Sequence, residues 1–282
     1  MGESAALEIA NHAIEIATLP EVTMRIIEVV QDERSTAHDL HQIVRNDPAL
    51  SARVLRVVNS AFYGLPGQIG SIDRAIMLLG LNAVKNIAIA ASIGKMFKSS
   101  VICDDFTGKD LWTHSVAVGA TNKLIASAAG MSLPDEAFLT GLIHDIGLVA
   151  VMQCHAEDVQ KIVDITKSGV PYRKAEEKII GANHQEIGIA LTTKWKFPRS
   201  FQFVTGFHHE PTELALENRM LSVITHISDI LCARGEFGMT ITVETEEVPQ
   251  ELKDEIGMTS EQLDEISGNI EDELQAVRSL IE

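Results

Sequence analysis

Apolar residues recur along most of this chain at intervals of three and four, the spacing that gathers them on one face of an α-helix. Val22, Ile26, Val29 and Val30 form one such stripe after Pro20, a residue suited to a first helical turn. A second segment runs from about Ala37 to Val44. A third opens at Asp47-Pro48, an N-cap followed by the proline that fits the first helical position, and sets Leu50, Val54, Leu55 and Val58 on one side. Ala61-Phe62-Tyr63-Gly64-Leu65-Pro66-Gly67 is a turn by its glycines and proline. Ser71-Ile72-Asp73-Arg74 then caps a short helix through Leu79, and Gly80-Leu81-Asn82 leads into a long Ala/Ile-rich helix ending near Phe97.

A loop over Ser99–Gly108 divides this amino-terminal part from the next. Helices are predicted over Asp110–Ala129, Pro134–Cys154, Ala156–Ser168, Tyr172–Ile180 and His184–Trp195, the last stopped by Lys196-Phe197-Pro198. Two more are expected over Ser200–His209 and Leu214–Ala233. Only Met239–Val248 alternates with a strand's period, so the fold class is all-α, a multi-helix bundle without internal repeats. A tail helix over about Ser260–Ile281 places Leu263, Ile266, Ile270, Leu274 and Val277 on one face of an acidic surface. That face is expected to dock on the body; a homodimer or partner contact is the alternative.

Composition narrows the class. With 282 residues, 45% hydrophobic and only 5% aromatic, the chain can build a sizeable core, and that core must be aliphatic. Cys103, Cys154 and Cys232 are widely spaced and form no C-x-x-C pair, which predicts reduced thiols and a cytoplasmic location. Met1-Gly2-Glu3-Ser4 does not open a secretory signal, and the longest apolar stretches, Ala83–Phe97 and Leu139–Met152, fall short of the ~18–20 residues of a membrane span. The net charge of −17 is concentrated in the tail, where Thr240–Glu282 holds 13 acidic against 2 basic residues. Phosphate backbones reward basic surfaces, so no nucleic-acid partner is expected. The small cluster Arg45, Arg53 and Arg56 reads as a solvated helix face.

The chemistry sits in Leu139-Thr140-Gly141-Leu142-Ile143-His144-Asp145-Ile146-Gly147-Leu148-Val149. Histidine and aspartate inside so apolar a run are costly to bury unless they are paired or bind a metal. Candidate partners are His114, His184, His208, His209 and Asp229, at the ends or on the apolar faces of predicted helices. Helical bundles converge ligands from several helices on one interior point. Asp145 could bridge two cations while imidazoles add donors without further negative charge, and two ions ~3.5–4 Å apart could clamp a phosphoryl oxygen. Histidine with carboxylate suits Fe, Mn or Zn better than Mg. Asp110, four residues before His114, is read first as a helix cap and second as an outer partner of the site or a further ligand.

Several motifs together resemble the bacterial HDOD family, the HD-related output domain. They are Leu19-Pro20, Asn46-Asp47-Pro48-Ala49-Leu50, Val58-Asn59-Ser60-Ala61-Phe62-Tyr63-Gly64 and Ile72-Asp73-Arg74-Ala75-Ile76-Met77-Leu78-Leu79-Gly80 in the first half. In the second half they are Leu111-Trp112-Thr113-His114-Ser115, Gly141 to Gly147, Asn183-His184-Gln185-Glu186-Ile187-Gly188, Trp195-Lys196-Phe197-Pro198 and His208-His209-Glu210. The resemblance covers about Leu19 to Ala233. It implies an HD-type bundle over 109–239 behind an amino-terminal helical subdomain over 1–98, with 240–282 as an acidic extension.

HDOD domains are related to the HD and HD-GYP metal-dependent phosphohydrolases, and many are signalling modules without demonstrated catalysis. Carried over, that pattern has His114, His144, Asp145 and Asp229 hold one metal, and Asp145 bridge to a second held by His184, His208 and His209. Two departures count against catalysis. HD-GYP enzymes have a lysine three residues after the aspartate, where this chain has Leu148, and a Gly-Tyr-Pro segment after the His-His pair, where it has Pro211-Thr212-Glu213-Leu214. A fixed cation would stabilise charge on a transferring phosphoryl group, and leucine cannot. The expectation is therefore a signal-transduction module with one or two divalent transition metals and a signalling protein partner. A phosphohydrolase acting on something other than cyclic di-GMP is the alternative, and a metal-free interaction scaffold the third; no catalytic residue is assigned.

Overall fold

The computed structural model describes residues 2–16, 19–32, 34–97, 103, 105–132 and 134–277. Every regular element among them is helical. The amino-terminal part comprises α1 (Gly2–Ile16), α2 (Glu21–Gln31), α3 (Ala37–Arg45), α4 (Pro48–Val58), a 3₁₀ turn (Ala61–Tyr63), α5 (Ile72–Leu79) and α6 (Leu81–Phe97). The next part comprises α7 (Gly108–Ala128), α8 (Pro134–Ile143), α9 (Ile146–Cys154), α10 (Ala156–Lys167), α11 (Tyr172–Ile180), α12 (His184–Lys194), α13 (Arg199–Phe207) and α14 (Met220–Arg234). The acidic extension forms α15 (Gln250–Ile256) and α16 (Ser260–Ala276).

Helix starts follow local capping chemistry. Asp47 accepts from Leu50 N (2.9 Å) with Pro48 in the first turn of α4, and Ser71 accepts from Arg74 N (3.3 Å) at α5. Thr107 with Asp110, Asn183 with Glu186 and Thr259 with Gln262 close capping boxes at α7, α12 and α16. One apolar core runs from Ala6 to Val277, and its interior is mostly Ile, Val, Leu and Ala as the composition requires. Helix α6 lies against α2, α4, α5 and α8; α1 crosses forward to pack on α9 and α12; α16 seats Leu263, Ile266, Ile270 and Leu274 against the body, chiefly on α7.

Three segments depart from the periodicity. The expected single helix Pro134–Cys154 is broken at His144-Asp145 into α8 and α9, because His144 Nδ1 bonds the Gly141 carbonyl at 2.7 Å and Asp145 leaves helical geometry at φ −96°, ψ 21°. The segment has the length and mean hydropathy (1.5) of a membrane span, yet 89% of that window is buried inside the protein, so it is a core element. Met239–Val248 is not a strand. Met239 N bonds Asp110 O (3.1 Å) on α7 and Val243 N closes a turn on Thr240 O (3.2 Å), which leaves its backbone bonded to a helix and to itself.

The helix expected over Leu214–Ala233 begins only at Met220, after 3₁₀ turns at Pro211–Glu213 and Leu216–Asn218. Leu214 is extended at ψ 149° and Leu216 is 69% exposed, so neither extends the buried stripe of α14. Helices α1 and α15 were not anticipated. The end of the tail helix beyond residue 277 and most of the Ser99–Gly108 loop lie outside the described residues.

Candidate metal centre

All seven predicted side chains converge, from five places in the fold. Helix α7 supplies His114, the α8–α9 break supplies His144 and Asp145, α12 opens on His184, α13 ends on His208-His209, and α14 presents Asp229. Six of them are at most 1% exposed, and His209 is half-buried. The α8–α9 break matters because it turns adjacent residues inward together, which a continuous helix would hold about 100° apart. Close approach of α9 and α12 depends on Gly147, where a Cβ would stand 2.0 Å from His184 O and 2.9 Å from Gly188 N.

The histidines are held by their Nδ1 atoms. His114 Nδ1 donates to Phe237 O (3.0 Å), His144 Nδ1 to Gly141 O (2.7 Å), His208 Nδ1 to Val204 O (3.1 Å) and His184 Nδ1 to Glu176 Oε2 (2.6 Å). A carbonyl can only accept, so Nδ1 carries the proton, and in the neutral imidazole Nε2 is left to present a lone pair to the centre. Metal-binding histidines are oriented in this way by outer partners.

Those Nε2 atoms face carboxylate oxygens and, at His184, another imidazole nitrogen. His144 Nε2 lies 3.2 Å from Asp145 Oδ2, while His208 Nε2 and His184 Nε2 lie 3.4 and 3.6 Å from Asp145 Oδ1. His114 Nε2 lies 2.9 Å from Asp229 Oδ1, and His184 Nε2 lies 3.0 Å from His209 Nε2. Neither oxygen of Asp145 has a hydrogen-bond partner, nor do Nε2 of His144 and His208. A fully buried carboxylate surrounded by lone pairs is unfavourable unless protons or cations lie between them. Two groups could each hold a metal ion, Asp145 with His184, His208 and His209, and His114 with His144 and Asp229; the potential ligand atoms within each lie inside 4.8 Å of one another.

Without a metal, protons do part of this work. Burial pushes the His144 imidazolium down, but the Asp145 carboxylate outweighs it and raises the pKa to about 9. Burial opposes ionisation of Asp145 and Asp229 as well; the neighbouring His144 and His114 hold both carboxyls below their usual range. Burial wins at His208, pushed down to about 4, and at His209. At His184 the Glu176 carboxylate overcomes burial and raises the pKa.

Several contributors were not anticipated. Glu176 is completely buried and accepts from His184 through both Nδ1 and the backbone N–H (3.0 Å). Its signal was available: with Tyr172 and Ala175 it falls on the buried stripe of α11, an acid where an apolar residue belongs. Gln185 Oε1 accepts from His209 N (2.9 Å), and His226 Nδ1 donates to His208 O (2.8 Å). Gly238, at φ +74° with a Cβ position only 2.6 Å from His114 N, lets the segment after α14 lie on α7 so that Phe237 O reaches His114. Asp110 is spent on the capping box with Thr107 and does not join the site. Leu148 is buried, 2% exposed, three residues after Asp145.

The HDOD domain family model matches residues 16–211, well over half of the chain. The chain belongs to the HDOD family. An HDOD domain protein of unknown function from Geobacter sulfurreducens is 22% identical, with 98% of each chain covered and a TM-score of 0.80. A candidate phosphohydrolase from Shewanella amazonensis SB2B is 23% identical, again with 98% of each chain covered, at a TM-score of 0.78. These likenesses show a shared HDOD fold. An uncharacterized protein of Treponema pallidum (strain Nichols) is 26% identical over 206 residues, 72% of this chain but 39% of that relative, so the chain spans about two fifths of its length. The family match ends before Asp229 and before the acidic extension.

Proposed function

We propose that this HDOD chain is a signal-transduction module of the cytoplasm built around a transition-metal centre, with His114, His144, Asp145, His184, His208, His209 and Asp229 as ligands. One observation carries the reading: the buried, unpartnered Asp145 carboxylate is ringed by imidazole nitrogens whose other nitrogens are already committed. The donor set of nitrogens and carboxylates fits Fe, Mn or Zn. When bound, such an ion neutralises the carboxylates, cross-links the five segments and offers Lewis acidity towards a phosphoryl oxygen.

A regulatory role is favoured over turnover by the burial of six of the seven ligands and by Leu148 in place of a cation. The complete ligand set supports a second reading, a metal-dependent phosphohydrolase of unidentified substrate. The partner is a signalling protein, and the tail helix, seated on the body, leaves partner contacts to other faces. Elemental analysis of chelator-free protein tests the centre. One or more metals per chain are expected, with lower content and stability in Asp145→Ala; metal-free protein and an unchanged Asp145→Ala would overturn the reading.

A further inference from the structure

Arg173 lies at the half-open side of the centre. It sits one turn before Glu176 on the same side of α11, the spacing that makes i and i+3 neighbours. Its guanidinium bonds Glu210, the residue after His208-His209, through Nη1 (2.8 Å), and it bonds Glu244 of the acidic extension through Nε (3.1 Å) and Nη2 (3.3 Å). The arginine side chain is only 13% exposed, while its carboxylate partners are 48% and 29% exposed. Glu176, one turn on, holds His184, and Glu210 directly follows His209, which sets the guanidinium beside the His184–His209 side of the centre.

We infer that Arg173 is the oxyanion-recognising group of this site and that Glu244 occupies it as an internal competitor. The inference rests on the proposed metal centre and adds a ligand class, a phosphoryl group, and a gate. A guanidinium fork matches a planar carboxylate and a phosphoryl group equally well, so one can replace the other without new geometry. Leu148 leaves the position three residues after Asp145 without a side-chain cation, and Arg173 supplies one from α11, the helix whose Glu176 holds His184. Glu244 is suited to leave. The segment is tied down on both sides of it, by Phe237 O on His114, Met239 N on Asp110 O, and Arg234 Nε on Glu246 O (2.5 Å), while Thr240–Val243 between them is a single turn. An arriving oxyanion displaces the Glu244 carboxylate, and the exposed stretch Glu244–Glu247 loosens while the buried Thr242 keeps the turn before it in place. Glu244 also lies outside the region matched by the family, so the gate belongs to this chain's extension.

The test uses the full chain loaded with Mn²⁺, as the parent, Glu244→Gln and Arg173→Gln. Inorganic phosphate and phenyl phosphate are titrated calorimetrically, and amide hydrogen exchange is read over residues 244–247. Removing a partly exposed competing carboxylate should tighten phosphate binding about two- to fivefold in Glu244→Gln, and Arg173→Gln should abolish it. Phosphate should raise exchange over 244–247 in the parent, an effect that a purely structural clamp would not give. Tightening with phenyl phosphate alone assigns the gate to esters; tightening with both assigns it to the phosphoryl group itself. Unchanged or weaker binding in Glu244→Gln overturns the inference, and decides alone if Arg173→Gln does not fold. Metal content of the same samples separates the two readings. Tightening in a protein that takes up no metal removes the metal centre and keeps the gate, whereas metal-loaded protein without tightening does the reverse.

Discussion

Glu176 gives the sharpest test of how the centre is held, because one of its oxygens does two jobs. Oε2 accepts the His184 Nδ1 proton at 2.6 Å and the His184 backbone N–H at 3.0 Å, in a place with no exposure to water. Truncation in Glu176→Ala strands both donors, each at a cost of about 1–3 kcal/mol, so a loss of about 3–5 kcal/mol is expected. That is a large part of the ~5–15 kcal/mol that keeps a domain folded. Glu176→Gln keeps an acceptor and the volume but removes the charge that makes His184 Nε2 a strong donor to a metal. It should fold nearly as well as the parent and bind metal about 10–100-fold more weakly. Urea unfolding of metal-free protein reads the first effect, and competition against a chromophoric chelator reads the second. Parent-like metal affinity in Glu176→Gln, or a loss under about 1 kcal/mol in Glu176→Ala, would refute the assignment of Glu176 as the anchor of His184.

Three further outcomes are expected. In protein stripped of metal, His144 has a folded pKa of about 9 against an ordinary 6.5, so its contribution is full below pH 6.5 and is lost as pH rises through 9; His208, at about 4, contributes fully above 6.5 and loses its share as pH falls towards 4. Unfolding midpoints measured from pH 4 to 10 should fall on both sides of neutrality, and metal should flatten the alkaline limb by replacing the His144 proton. Gly147→Ala should cost about 1–3 kcal/mol in urea unfolding and lower metal content, because the added methyl meets His184 O and the backbone of α12; a stable variant with full metal content would contradict the close-approach argument. Metal-loaded protein should hydrolyse cyclic di-GMP no faster than Asp145→Ala does, an expectation from the HD-GYP resemblance, since Leu148 and Pro211–Leu214 stand where those enzymes carry a lysine and a Gly-Tyr-Pro segment.

How much of this was legible in the chain depends on whether a residue declares itself by type or only by position. The all-α class and the amino-terminal helices were readable because α2–α5 are amphipathic, with Asp47-Pro48 and Ser71 standing where α4 and α5 begin, and because α6 is a long Ala/Ile-rich run. The seven candidate ligands were readable because imidazoles and carboxylates are conspicuous in apolar surroundings. The α8–α9 break was not readable from periodicity. Both helices are buried on all sides, so apolar residues fill every position and no period survives to mark where one ends. The break is set instead by a local bond, from His144 to Gly141, made by the same residue that the run was singled out for.

Two outer partners, Phe237 and Gly238, were illegible for a different reason. Phe237 acts through its carbonyl and Gly238 through the lack of a side chain, and neither property depends on residue chemistry that a pattern can score. Met239–Val248 shows the converse error. Its hydrophobic alternation is not matched by alternate burial: Met239, Thr242 and Val248 are the buried positions, three and six residues apart, and Glu244 to Glu247 lie in the open. A period of two in residue type becomes a strand only where another strand is present to take the backbone bonds. Here Asp110 on α7 takes the first of them, and the segment is thereby fixed beside His114, so that the acidic extension begins in contact with the wall of the centre.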